Sequence, residues 1–405
     1  MPEAVIVSTA RSPIGRAFKG SLVEVRPDDL AAAVVAAALS AVPELDPADM
    51  DDIHMGCGLP GGEQGFNIAR VVAVMSGWDD VPGVTVARYC ASSLQTTRMA
   101  FHAIKAGEGD VFVSGGVEMV SRYVKGNSDS HPGTQNPLFD EAQARSAQAA
   151  QGAESWVDPR TIGLLPDVYM AMGQTAENLA IVKDVSREEM DDFGYQSQVR
   201  YAAADASGFW EREITPIKLP DGTTMTKDDS PRPGVDREAM RELQPAFRPG
   251  GRVTAGNCCP LNDGAAAVIV MSDTKAEELG ITPRARIVAT GVSALSPEIM
   301  GLGPVEASRE ALAKAGMSIA DMDIVEINEA FAAQVIPSAR DLGIDFDRLN
   351  PHGGSIAVGH PFGMTGARIT ATLLNGLESV DGTLGLETMC VGGGQGMAMI
   401  VERLG

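Results

Sequence analysis

Short apolar runs alternate with stretches of helical periodicity through the first third of the chain, and this rhythm predicts strands and helices in turn. Strands are predicted at 4–8, 52–55, 85–88 and 111–114, and helices at 28–39, 67–76 and 92–105. The first helix is rich in Ala and Val, with Asp28 or Asp29 as its expected N-cap. Alternation of this kind predicts an α/β fold with a mostly parallel sheet covered on both faces.

The rhythm fails from about 123 to 165, where Ser, Gln, Asn, Gly and Pro replace periodic apolar positions. A capping box, Ser186 with Glu189, opens a further helix, and a Pro-, Asp- and Arg-rich segment covers 218–237. Irregular stretches this long point to a lid or a ligand-binding insertion. Beyond 264 the alternation resumes, with strands expected at 265–271, 286–289, 324–327, 386–389 and 397–401 and helices at 274–279, 305–315, 330–340 and 365–377. In each half a long helix precedes a short strand ending in glycines, Val111-Phe112-Val113-Ser114-Gly115-Gly116 and Thr388-Met389-Cys390-Val391-Gly392-Gly393. Two similar halves would bring strand and helix ends to one pseudosymmetric centre.

A chain of 405 residues exceeds the usual size of one core, so two or three packed units are expected. A net charge of −22 argues against nucleic acid, whose phosphates need a cationic surface, but an anionic small molecule needs only a local basic patch. The N-terminus lacks a basic, apolar leader, and no run reaches the roughly 20 apolar residues that span a bilayer, so a cytoplasmic protein without membrane insertion is expected. Five cysteines without a secretory signal suggest reduced thiols rather than a disulfide framework.

Cys90 is the first candidate for chemistry. It sits where a strand turns into a helix, so N–H groups and the helix dipole would favour a thiolate there, although a buried cysteine serves equally well as a small apolar side chain. His360 lies in Gly359-His360-Pro361-Phe362-Gly363, whose glycines and proline could hold an imidazole in one orientation for proton relay or form a purely structural loop. Cys390 ends a strand and enters a glycine run whose N–H groups could stabilise an oxyanion, and Asn328-Glu329 at another strand–helix junction reads by itself as an N-cap. Cys57, Cys258, Cys259, His54, His102 and His131 show no metal-ligand spacing, so no metal is expected. There is no Walker sequence, and the late glycine run lies too near the C-terminus to open a nucleotide-binding unit.

Together these segments resemble the thiolase family along essentially the whole chain. The resemblance is carried, in order, by Cys90-Ala91-Ser92-Ser93-Leu94-Gln95, Gly115-Gly116-Val117-Glu118-Met119, Met172-Gly173-Gln174-Thr175-Ala176-Glu177-Asn178, Thr254-Ala255-Gly256-Asn257 with Asn262-Asp263-Gly264-Ala265, Asn328-Glu329-Ala330-Phe331-Ala332, Gly359-His360-Pro361, and Cys390 with its glycines. It implies a thiolase fold: two similar βαβαβ-type halves in a five-layered α/β/α/β/α core with an inserted loop domain. The halves are expected at 1–122 with 247–273 and at 274–405, and the loop domain that receives CoA at 123–246. It further implies an acyltransferase that is a homodimer or homotetramer, with CoA and acyl-CoA thioesters as partners and no permanently bound cofactor.

By the same resemblance Cys90 is the nucleophile, His360 its proton acceptor, and Cys390 the acid and base at the α-carbon. Two oxyanion holes are implied, one from His360 with a water held by Asn328, the other from the N–H groups of Cys90 and Gly392. Met172 and Cys259 are the implied CoA contacts, although Cys259 stands where a Ser on the pantetheine arm is common; Arg232, in Asp229-Ser230-Pro231-Arg232-Pro233, is either the loop-domain cation that meets the CoA phosphates or a solvated surface arginine. Ala87 and Ser93 also depart from the usual Asn and Gly. Ala171 replaces a His typical of biosynthetic acetoacetyl-CoA thiolases, which favours thiolysis in fatty acid β-oxidation over the biosynthetic alternative. The more remote alternatives are a β-ketoacyl carrier-protein synthase and a non-catalytic thiolase-like lipid-binding protein.

Overall fold

The computed structural model describes residues 2–126 and 133–405; His131 lies outside them. In chain order the elements are β1 (Ala4–Arg11), β2 (Gly15–Arg16), α1 (Pro27–Ser40), β3 (Asp52–Gly56), α2 (Ile68–Met75), β4 (Gly83–Val86), α3 (Ser92–Ala106) and β5 (Val111–Met119). There follow α4 (Asp140–Ala149), α5 (Met172–Val182), α6 (Arg187–Ala206), the ribbon β6 (Ile217–Lys218) and β7 (Thr224–Met225), and α7 (Arg237–Arg241). The chain continues through β8 (Asn262–Ser272), α8 (Asp273–Leu279), β9 (Ala285–Ala294), α9 (Gly303–Ala315) and β10 (Ile324–Ile327). It closes with α10 (Ala332–Leu342), α11 (Ser355–Val358), α12 (Thr365–Val380), β11 (Leu384–Val391) and β12 (Gln395–Arg403).

The layers follow from the period-two alternation of the central strands. On β8, Ala265, Ala267, Ile269 and Met271 join the cluster of α1 and α2, while Ala266, Val268 and Val270 face the layer of α3 and α12. On β12, Met397, Met399 and Val401 face that same central layer, and Ala398 and Ile400 pack with α9 and α10. Three apolar clusters separated by two sets of strands make five layers, with α3 and α12 in the middle.

The strand pairing shows the two halves to be alike. One runs β4–β3–β5–β8–β1, parallel across its first two junctions and antiparallel across the next two. The other runs from Leu349, bridged to Val325, through β10, β11, β12 and β9 with the same sequence of parallel and antiparallel junctions. Two residue pairs, Val5 with Arg286 and Ile6 with Ala285, join the halves at β1 and β9.

Several local expectations are corrected. β5 does not stop at Gly115-Gly116 but runs on to Met119, fully buried. A Cβ on Gly116 would collide with the Gly363 carbonyl, so this glycine marks a close backbone approach rather than a strand end. α1 is capped by neither aspartate: Arg26 is its N-cap with Pro27 in the first turn, and Asp28 binds the Arg26 guanidinium at 2.8 Å. The aperiodic stretch contains α4, a largely exposed helix of Ala, Gln and charged residues that lacks the apolar stripe a sequence reading looks for. The Ser186–Glu189 capping box forms as expected.

A buried cation ties the irregular middle of the chain to β1. Arg11 Nε donates to Glu213 at 2.6 Å and its Nη1 to Asp228 at 2.8 Å, all three side chains fully enclosed. Removing either carboxylate would leave the guanidinium under-compensated in a low dielectric.

Candidate active site

The junction between β4 and α3 is strained at one residue. Tyr89 has φ of 42°, a left-handed conformation that costs a non-glycine residue about 1 kcal/mol, and a single turn, Tyr89–Ala91, then presents Cys90. Ser92 holds the bend, its Oγ accepting from the Arg88 N–H at 2.9 Å and donating to the Tyr89 carbonyl at 2.7 Å. The backbone N–H groups of Gly392 and of Cys90 itself act on the Cys90 sulfur so as to favour its ionisation. Burial nevertheless pushes this thiol up to about 12, and the Glu118 carboxylate adds to the rise. The thiol acidified by a helix N-terminus that the sequence suggested is therefore not found. Desolvation outweighs the two donors, and a thiolate needs a base.

His360 supplies an acceptor. The Thr365 hydroxyl donates to the Pro361 carbonyl at 2.7 Å, so its oxygen, 2.7 Å from His360 Nδ1, is left to accept the ring proton. The Asn328 Nδ2 amide lies 3.2 Å from His360 Nε2, and Asn328 Oδ1 accepts from Ser355 Oγ at 2.6 Å. Both neighbours thus select the same neutral tautomer, Nδ1–H with a bare Nε2. Burial, then the positive charge of Arg368, pushes the imidazole down to about 3, so it is neutral at physiological pH.

The loop carrying His360 is held by its backbone. Gly359 has φ of 118°, and a Cβ there would lie 2.7 Å from Ile14 and 2.8 Å from Asn262. Asn262 Oδ1 accepts the His360 N–H at 2.9 Å, and its Nδ2 donates to the Gly15 carbonyl at 2.9 Å and to Ser230 Oγ at 2.8 Å.

Cys390, next to last in β11, is fully buried beside Phe331 and Ile356. Burial pushes its thiol well above the ordinary range, and charge on Cys90 pushes it further. Cys259 is raised by burial and then by charge on Cys258, Cys90 and Cys390. Charge on Cys90 thus opposes ionisation of both Cys390 and Cys259.

A cavity of about 450 Å³ opens over Cys90, walled by Leu59, Tyr89, Val168, Met170, Met172 and Phe362. Gly392 also lines it, while His360 stands behind, its ring 5.1 Å from that of Phe362. Arg232 is not in this wall. It is exposed, its backbone N–H held by Gln198 Oε1 at 2.9 Å, and its charge favours ionisation of Cys258. Among the described residues no group of three or more His, Cys, Asp or Glu could hold a metal ion, and no helix is long and apolar enough to cross a membrane.

The family profile "Thiolase, N-terminal domain" matches residues 4–274 and "Thiolase, C-terminal domain" matches 281–403. The chain belongs to the thiolase family. It is therefore an acyltransferase, with the thiolase fold. It is 43% identical over 411 residues to the 3-ketoacyl-CoA thiolase of Saccharophagus degradans, covering 99% of this chain and 98% of that one. It is 42% identical over 414 residues to the 3-oxoadipyl-CoA/3-oxo-5,6-dehydrosuberyl-CoA thiolase of Escherichia coli, covering all of both. Among solved structures it resembles human mitochondrial 3-ketoacyl-CoA thiolase with a TM-score of 0.86 at 36% identity, over 100% of this chain and 99% of that one. The same human enzyme in complex with CoA gives a TM-score of 0.85.

Two features of this thiolase's centre lay inside segments read from the sequence only as motif. Glu118, fully buried, accepts from the N–H groups of Gly58 at 2.6 Å, Leu59 at 3.2 Å and Gly363 at 2.8 Å, and from the Tyr123 hydroxyl at 2.8 Å. It thereby ties the His360 loop to the strand beside it. The signal was a lone carboxylate in an otherwise apolar, glycine-rich run. The second feature is Ser93, whose Oγ accepts the Ala367 N–H at 2.9 Å and so caps the first turn of α12. The departure from glycine at this position acquires a structural role.

Proposed function

We propose that this thiolase cleaves 3-ketoacyl-CoA thioesters of the fatty acid β-oxidation type with CoA, through an acylated Cys90. The observation that carries the reading is Cys90 lining a largely apolar cavity beside Gly392, with the N–H groups of both residues favouring charge at the sulfur. His360, with its bare Nε2, takes the Cys90 proton as the sulfur attacks the 3-keto carbon. The carbonyl π pair moves to oxygen, then returns as the C2–C3 bond breaks, and the pair leaves as the enolate of acetyl-CoA. The Cys390 thiol delivers its proton to the enolate carbon. Incoming CoA loses its thiol proton to the Cys390 thiolate, attacks the acyl carbon, and releases Cys90, which regains its proton from His360.

Charge that develops on the thioester oxygens needs fixed donors. The N–H groups of Cys90 and Gly392, already directed at the sulfur, form one hole, and protonated His360 with a water held by Asn328 forms the other. Met172 and Cys259 flank the pantetheine arm, and exposed Arg232 meets the phosphates. The segment 123–246 acts as the CoA-receiving loop domain between halves at 1–122 with 247–273 and at 274–405. Support for this comes from Val168, Tyr169, Met170 and Met172, which wall the cavity.

That wall supports the proposed substrate class. Its aliphatic and aromatic side chains, which outnumber the polar Thr134 and Gln135, favour an uncharged acyl chain, and about 450 Å³ leaves room beyond a two-carbon group. Turnover is expected to rise from acetoacetyl-CoA to 3-ketoacyl-CoA substrates with medium chains and to fall about tenfold or more for 3-oxoadipyl-CoA. Steady-state kinetics across the series checks this. Preference for the carboxylated substrate overturns the chain class, and no turnover of any 3-ketoacyl-CoA overturns the function.

The working unit is a homodimer or a homotetramer whose subunits join at β4. That strand ends the sheet order with its outer edge unpaired among the described residues, and Phe66, Val74 and Met75 are exposed on neighbouring elements. Light scattering at micromolar concentration is expected to give a multiple of 42.3 kDa, and a monomer mass would remove this reading.

A further inference from the structure

Arg368 is fully buried on α12, yet among the described residues its side chain makes a single hydrogen bond, from Nη2 to Ser355 Oγ at 2.8 Å. Its Nε and Nη1 find no partner among those residues. Glu326 and Glu387, register neighbours on β10 and β11, are the nearby carboxyls whose Oε1 and Oε2 respectively are also unpaired. Burial pushes both up to about 8, so neither is fully charged at neutral pH. Glu213 and Glu329 also act on Arg368 favourably and Arg11 unfavourably. A guanidinium so placed is not spent on a direct ion pair.

What it does contact has a direction. A guanidinium only donates, so Ser355 Oγ accepts from it and turns its own proton to Asn328 Oδ1, 2.6 Å away. The Asn328 amide is thereby oriented with Nδ2 toward His360, and a donor at 3.2 Å requires a lone pair on Nε2. An inverted amide would offer an oxygen instead and select the Nε2–H tautomer, which has no site for the Cys90 proton. We propose that Arg368 and Ser355 are positioning residues, which act through Asn328 to hold His360 in the one neutral tautomer that can accept the Cys90 proton. The proposal rests on the roles given above to Cys90 and His360.

Ser355→Ala removes the middle of the chain and only one oxygen atom. Long-range ¹H–¹⁵N correlation spectra of protein labelled at histidine nitrogen are expected to show His360 as pure Nδ1–H in the parent and as a mixture of tautomers in the variant. The rate of Cys90 alkylation by iodoacetamide at neutral pH is expected to fall about tenfold, the effect of one misdirected buried hydrogen bond, and its pH midpoint to rise. Packing damage alone would lower the melting temperature without changing the tautomer. An unchanged tautomer, or an unchanged alkylation rate and pH profile, overturns the proposal. Failure of the underlying reading is a separate result: parent protein that takes no acyl group on Cys90 from acetoacetyl-CoA.

Discussion

Cys90→Ser protein incubated with acetoacetyl-CoA or a longer 3-ketoacyl-CoA is expected to carry no acyl group, and its thiolysis rate to fall by roughly 10⁴-fold or more. The parent thiol is already hard to ionise, pushed up to about 12 by burial. A serine hydroxyl in the same enclosure is harder still to ionise, and the substitution gives His360, the base proposed for the thiol, no added strength. The N–H groups of Cys90 and Gly392 survive the substitution, so substrate affinity should change far less than turnover. Intact-mass analysis of parent and variant after brief exposure to substrate, with peptide mapping of the adduct, decides the matter. An adduct on another cysteine, or turnover within tenfold of the parent, would remove Cys90 from the mechanism.

Cys390→Ala should separate the two half-reactions. Transfer of an acetyl group from acetyl-CoA to Cys90 requires no proton movement at the α-carbon, so the variant is expected to become acetylated, though slowly. Cleavage of 3-ketoacyl-CoA requires a proton for the departing enolate and a base for incoming CoA, and both vanish with the sulfur. Loss of a positioned acid–base group costs about 10²- to 10⁴-fold, and the larger figure is expected where one group serves twice. The thiol is buried and raised well above its usual range, as suits a group that must hold its proton until the enolate forms. Rapid-quench measurement of acetyl-enzyme alongside steady-state thiolysis tests the split. Equal thiolysis by variant and parent, or failure of both half-reactions together, would contradict the assigned role.

The strands were the most legible part of the sequence, because β8 and β12 carry apolar residues on both faces and β10 is a short run of Ile and Val interrupted by Glu326. Their boundaries were less so: Gly116, one of the two glycines taken to end β5, answers to Gly363, a residue some 250 positions away, and no local pattern records that encounter. α4 escaped notice because it buries almost nothing. Cys90, His360, Cys390 and Asn328 could be noticed at their junctions and glycines, but each also read there as structural, and only the family resemblance gave them roles. The direction of the proton network could not be read, since it depends on Arg368 of α12 meeting Ser355 of α11, which in turn meets Asn328. The expected acidity of Cys90 failed for a similar reason. A helix start is visible in sequence, whereas the desolvation that overrides it is a property of the packed interior.

Cys90, the proposed nucleophile, and the His360 imidazole occupy equivalent stations in the duplicated architecture, each on the connection that leads into a central helix, Cys90 before α3 and His360 before α12. Those helices meet at their first turns, where a Cβ on Gly366 would collide with the Leu94 backbone and where Ser93 accepts from Ala367. A slip of one residue along that seam is about 1.5 Å, more than the displacement of about 1 Å that can cost a hundredfold in rate. The mechanical tolerance of the reaction is therefore set by a joint between two glycine- and serine-lined helix starts, and wear at that joint would silence both partners at once.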